Sequence, residues 1–178
     1  MALGASVYRV NLNLSDTDRH IYRDTKVTLA RHPSETEERM MIRLLAYCFN
    51  ASDDVTFGKG LSTDDEPDLW EVDPAGVIHQ WIEVGQPSLD RVKKGRSRSR
   101  AQQIFTAGRG RDQWWQANAD EFAKLQRLTV WHLSESEVAE LAALAAKNMT
   151  LSVCIADGSA FITSDAQSVN VTPLSELP

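Results

Sequence analysis

With 178 residues, 42% of them apolar, the chain is long enough for one domain with a sizeable core, and its composition excludes global disorder. No apolar run approaches the roughly 18 residues of a membrane helix, and the N-terminal MALGASVYRV lacks the basic and long apolar regions of a signal peptide. A net charge of −6 argues against a general basic coat for nucleic acid.

Residues 6 to 14, SVYRVNLNL, place Tyr8, Val10, Leu12 and Leu14 on one side, the period-two pattern of a half-buried strand. SDTDRH turns the chain, and IYRDTKVTLA at 21 to 30 reads as a second strand antiparallel to the first. His32-Pro33-Ser34 opens a helix that runs to about Asn50. Ser34 and Glu37 fit a capping box, and Met41, Leu44, Leu45 and Cys48 share the buried stripe. Glu38 borders that stripe. Its carboxylate either pairs or binds a metal at the apolar edge, or it reaches solvent from the first turn, where the helix dipole favours an acid.

VTFGKGL at 55 to 61 reads as a short strand or turn, and the acidic stretch from Asp64 has Leu69, Trp70 and Val72 as apolar anchors. Val77 to Val84 has apolar residues on both sides, which predicts a central strand; His79 on it reads as a satisfied core histidine rather than a ligand. Gly85-Gln86-Pro87 ends the strand, and Ser88 caps a helix through about Ser99. QIFTA at 103 to 107 is a further strand and GRGR a loop.

Asp112 is expected to cap a helix to about Gln126, where Trp114 and Trp115 suit core packing better than base stacking. Leu128 to Leu133 is a strand, and Ser134 with Glu137 forms a second capping box for a helix through about Lys147. Strands at 150 to 156 and 160 to 164 flank Asp157-Gly158, a hairpin signal, and SVNVTPL adds a short edge strand. Cys48 and Cys154 lie in apolar runs and read as buried free thiols of a reducing cytosol, without the clustered histidines of a zinc site. The alternation of strands and helices predicts a single α/β domain with a mixed sheet.

Charge is blocked along the chain. Residues 91 to 111 carry eight of the nineteen Lys and Arg and no acid, whereas residues 53 to 74 carry eight Asp or Glu and one Lys. Such blocks are either solvated faces or a positive strip beside an acidic pocket, suited to a polyanion held near a metal.

Five runs carry a resemblance over most of the chain: TLARHPSETEERMMIRLLA at 28 to 46, DDEPDLW at 64 to 70, WIEVGQP at 81 to 87, VKKG at 92 to 95 and MTL at 149 to 151. They resemble the YaeQ family of bacterial proteins, which is similar in core to the PD-(D/E)XK nuclease superfamily. The resemblance implies an αβββαβ core over about 34 to 107, matching the order of elements read there. Pro67-Asp68 stands at the superfamily's Pro-Asp, and Glu83 stands at the acidic position of the (D/E)XK triplet. The triplet's lysine is replaced by Gly85. Some members carry that lysine on the following helix, where Lys94 or its neighbour Lys93 stands here. Glu38 is similar to a helix-borne acid found in many members.

Such a site holds Mg2+ or Mn2+ through Asp68 and Glu83, because hard cations take one or two carboxylates plus waters and substrate oxygens. The ion lowers the pKa of a bound water, and a lysine stabilises charge building on the phosphate. Gln86 would orient water or phosphate, and Arg91, Arg96, Arg98 and Arg100 would hold a nucleic-acid backbone without reading sequence. Two function classes remain open: a metal-dependent phosphodiesterase or nuclease, and a non-catalytic nuclease-fold protein that binds nucleic acid or a protein partner. The mutual placement of Asp68, Glu83 and Lys94 discriminates them.

Overall fold

Alternation in the sequence becomes eleven strands and four α-helices, with a turn of 3-10 helix at Gly60–Ser62, among residues 4–177, which the computed structural model describes. In chain order they are β1 (Ser6–Asp16), β2 (Ile21–Arg31), α1 (Glu37–Asn50), β3 (Val55–Phe57), β4 (Leu69–Val72), β5 (Ile78–Val84), α2 (Leu89–Arg98) and β6 (Ala101–Thr106). There follow α3 (Arg111–Phe122), β7 (Leu128–His132), α4 (Glu135–Ala142), β8 (Asn148–Ala156), β9 (Ser159–Thr163), β10 (Ser168–Val171) and β11 (Leu174–Ser175). The fold is α/β with mixed sheets, as the alternation predicts. Two sheets are present where one was expected, each in its own compact unit.

The first unit comprises residues 1 to 51 and 135 to 173. Its sheet has the order β10-β9-β8-β1-β2, with β1 and β8 parallel and the other pairs antiparallel. Register sets the faces: Val10 lies opposite Val27 and Met149, and Leu12 opposite Leu151, so the apolar set of each strand turns to one side. The same alternation corrects the reading of Cys154. Val153 and Ile155 are buried, so Cys154 between them faces out and is exposed; Cys48 on α1 is buried as expected. Burial pushes the Cys48 thiol up to about 12.

Helix α1 is capped by Thr36, whose hydroxyl accepts from Arg39 N at 3.1 Å, and not by Ser34. Ser34 is already engaged with His32 Nδ1 at 2.6 Å, so it shapes the entry to the helix instead. Glu35 is buried and binds Arg43 through both carboxylate oxygens at 2.7 Å, with Arg39 at 2.9 Å. Glu38 is exposed in the acidic first turn, the dipole-favoured alternative. Helix α4 stops at Ala142, short of Lys147. Lys147 instead receives Arg9 N on its carbonyl at 2.9 Å and lays its amine 4.3 Å from the Tyr8 ring, which starts β8 early.

The second unit comprises residues 52 to 134 and 174 to 178. Its sheet has the order β11-β7-β6-β5-β4-β3, so β5 is central as its two-sided apolar pattern predicts. β5, β6 and β7 are parallel to one another, while β3, β4 and β11 pair antiparallel. Val92, Ile104, Phe122, Leu128 and Val130 form a core against which Trp114 and Trp115 pack, so the tryptophans take the packing role. α3 begins at Arg111 after Gly110, which places Asp112 inside the first turn rather than at the cap. His79 is a half-buried partner of Asp73 at 2.8 Å and not a core residue, because it sits at the more open start of β5.

The order αβββαβ expected over residues 34 to 107 is present as α1, β3, β4, β5, α2 and β6. By compactness, α1 belongs to the first unit and the other five elements to the second.

Candidate metal and phosphate site

Asp68 and Glu83 lie 15 positions apart in sequence and meet through a hairpin. β4 and β5 pair antiparallel with Leu69 opposite Ile82, and one step further along the register brings Asp68 against Glu83. Asp68 is fixed there by Val84 N, which donates to its Oδ2 at 2.8 Å. Both carboxylates are almost fully buried, at 1% and 2% exposure, which is costly for acids unless they are hydrogen-bonded or paired.

Glu83 Oε1 accepts from Trp81 Nε1 at 2.8 Å and from Arg91 Nε at 2.9 Å. Burial pushes the Glu83 carboxyl up to about 7, and the neighbouring Asp68 charge pushes the same way. The Arg91 guanidinium and the Trp81 hydrogen bond pull it down but do not prevail.

Arg91 reaches this pair because α2 lies close on the sheet. Ser88 caps the helix as predicted, accepting from Arg91 N, and sets Arg91 in the first turn. One turn on, Gly95 is buried on the same face. A Cβ at position 95 would stand 2.6 Å from Gln102 Nε2 and 2.7 Å from Trp81 Nε1, so only glycine allows this approach. Arg91 also donates to Glu66 O at 3.0 Å, and to Thr63 O and Asp64 Oδ1 at 3.4 Å.

The remaining expected site residues are placed differently. Lys94 Nζ lies 2.9 Å from Asp65 Oδ1, and Lys93 Nζ lies 3.7 Å from Glu121 Oε2 on α3. The cation against the carboxylate pair is therefore Arg91, an arginine expected only as a backbone clamp, and not either lysine. Gly85, two positions after Glu83, has a φ of +109°, a backbone region that side-chain-bearing residues rarely adopt. Gln86 donates its amide to Ala107 O at 3.2 Å and Arg109 O at 3.0 Å, tying the strand end to the GRGR loop. Arg96 is spent on the carbonyls of Gln126, Ser99 and Arg100. Arg98 leans on Asp65 at 3.7 Å, and Arg100 is exposed. Glu38 belongs to the first unit.

The donor set suits a hard cation. Two carboxylates suffice for magnesium or manganese when waters and phosphate oxygens complete the shell. Among the described residues no group of three or more His, Cys, Asp or Glu is positioned for a metal ion. The signal for Arg91 was present in the sequence as the spacing Ser88, Arg91, Gly95, a cap followed by two positions on one helix face.

No described helix is long and apolar enough to cross a membrane. A family model described as YaeQ protein matches residues 1–173. The chain is 39% identical to the uncharacterized protein YaeQ of Escherichia coli K12 over 172 residues, 96% of this chain and 95% of that protein. It is 40% identical to its counterpart in Salmonella typhi over 168 residues, covering 94% and 92% of the two chains. The crystal structure of the YaeQ protein from Xanthomonas axonopodis pv. citri is similar with a TM-score of 0.92 and 41% identity, covering 97% and 98% of the two chains. That from Pseudomonas syringae gives 0.93 at 35% identity, covering 98% and 97%. The matched model, the relatives in sequence and the solved structures agree over nearly the whole length, and the chain belongs to the YaeQ family.

Proposed function

We propose that the Asp68–Glu83 pair is a divalent-cation site for hydrolysis of phosphodiester bonds in nucleic acid, on a variant of the PD-(D/E)XK core. The observation that carries this reading is the convergence of two buried carboxylates at the end of a central strand, with the Arg91 guanidinium of the following helix on Glu83. Magnesium or manganese bound there supplies a water of lowered pKa and a positive charge against the phosphate. The two carboxylates hold the ion, and Arg91, rather than Lys94 or Lys93, is the basic group nearest the reacting phosphate. Arg98 and Arg100 extend the positive surface along and beyond α2.

The Gly85 backbone favours a second reading, in which the same core binds nucleic acid or a protein partner without turnover. Labelled DNA and RNA, incubated with manganese and either the wild-type protein or Asp68→Asn, separate the two. The hydrolytic reading predicts cleavage that falls about 100-fold or more in the variant. Retention of substrate without cleavage by either protein is the outcome of the binding reading.

A further inference from the structure

Arg91 lies against Glu83, one of the two proposed metal ligands. Its Nε is 2.9 Å from Glu83 Oε1, an oxygen that Trp81 also occupies at 2.8 Å. A hard divalent ion needs direct contact with carboxylate oxygen at about 2.1 Å, which would bring its charge close to the guanidinium already on Glu83. Two cations against one buried carboxylate pair repel strongly, because little water screens them.

The guanidinium has somewhere else to go. Besides Glu83 it already touches the loop of residues 63 to 66, donating to Glu66 O at 3.0 Å and facing Asp64 Oδ1 at 3.4 Å. Asp64 is almost wholly exposed, whereas the Arg91 side chain is about one-fifth exposed. A rotation of the arginine toward Asp64 therefore moves its charge from the buried pair into solvent. Asp65, the next residue, draws Lys94 and Arg98, so this loop is a ready anchor for helix cations.

We infer that Arg91 is an internal cation that holds the Asp68–Glu83 pair closed and that a divalent metal enters only by displacing it onto the Asp64 side of the loop. This rests on the metal-site reading above. The arginine then has two positions: on Glu83 in the metal-free protein, and outward, where phosphate arrives, in the loaded one. Metal affinity is accordingly set by the strength of the Arg91–Glu83 pair as well as by the ligands.

Manganese binding by calorimetry, on wild type, Arg91→Met and Arg91→Lys, tests this without reliance on turnover. Arg91→Met keeps the apolar stem and removes the charge, and it should bind manganese about tenfold or more tightly than wild type. Arg91→Lys, which keeps the charge but loses the planar reach to Glu66 O, should fall between them and serves alone if the Met variant does not melt cooperatively. Equal or weaker binding by the variants, with measurable binding by wild type, overturns the displacement while the metal site stands. Absence of manganese binding in all three overturns the metal site and the displacement with it.

Discussion

Glu83 carries the opposing pulls of this site. Burial and the Asp68 charge raise its carboxyl from 4.5 to about 7, against the pull of Arg91 and Trp81. A carboxyl raised in the fold binds its proton more tightly there than in the unfolded chain. Its contribution to stability is thus fully present below about pH 4.5 and is lost as pH rises through about 7. Glu83→Gln keeps the shape and an acceptor for Trp81 but cannot ionise. Its stability relative to wild type should therefore grow across that interval and level off above it, by up to about 3 kcal/mol. Urea unfolding of both proteins over this range checks the prediction, and parallel stability profiles would contradict it. At Gly85, two positions along, a lysine would meet a φ of +109°, a strain of about 1–3 kcal/mol. Glycine at position 85 is thus a backbone consequence of how β5 ends.

At the scale of elements, α2 is the part that converts sequence into site. Gly95 seats the helix on Trp81 and Gln102, and Arg91 one turn earlier is thereby carried to Glu83. Gly95→Ala gains about 1 kcal/mol of helix propensity, but its Cβ would press on the Trp81 indole at 2.7 to 2.8 Å, and a rigid ring cannot yield. We expect a net loss of about 1–3 kcal/mol, seen as a lower melting temperature; an unchanged or higher one would sink the account of α2 seating. The helix itself was legible, since Ser88 is a cap by residue type and Val92 and Gly95 share a face. So were β1, β2, β8 and β9 as strands, but the buried side is read only for β1, and Cys154 on β8 reads as buried from its apolar run where the alternation turns it outward. Errors came where local signals competed. Ser34 resembles a cap but is held by His32, and Thr36 takes the role. Lys147 extends the helical pattern of α4, yet its interactions with Arg9 and Tyr8 pull it onto the sheet. The sequence pairs Asp68 with Glu83 only through the resemblance, and the placement of Arg91 rather than Lys94 against Glu83 follows from which face of α2 meets the sheet, the face that Gly95 marks.

At the scale of the molecule, the two charge blocks of the sequence belong largely to the second unit and meet there. Arg91, Lys94 and Arg98 from the basic block face the loop of residues 63 to 66 from the acidic block. Much of the apparent polyanion strip is thus neutralised from within, in keeping with a chain of net charge −6. On the proposed reading, a phosphate backbone would have to compete with those carboxylates, which would tie its binding to salt. The central claim is that Asp68 and Glu83 together hold a divalent ion. Calorimetric titration of manganese, and then magnesium, into wild type and Glu83→Ala tests it most directly. The account predicts one ion per wild-type chain and loss of that binding in the variant; equal binding by both proteins, or none by wild type, would contradict it.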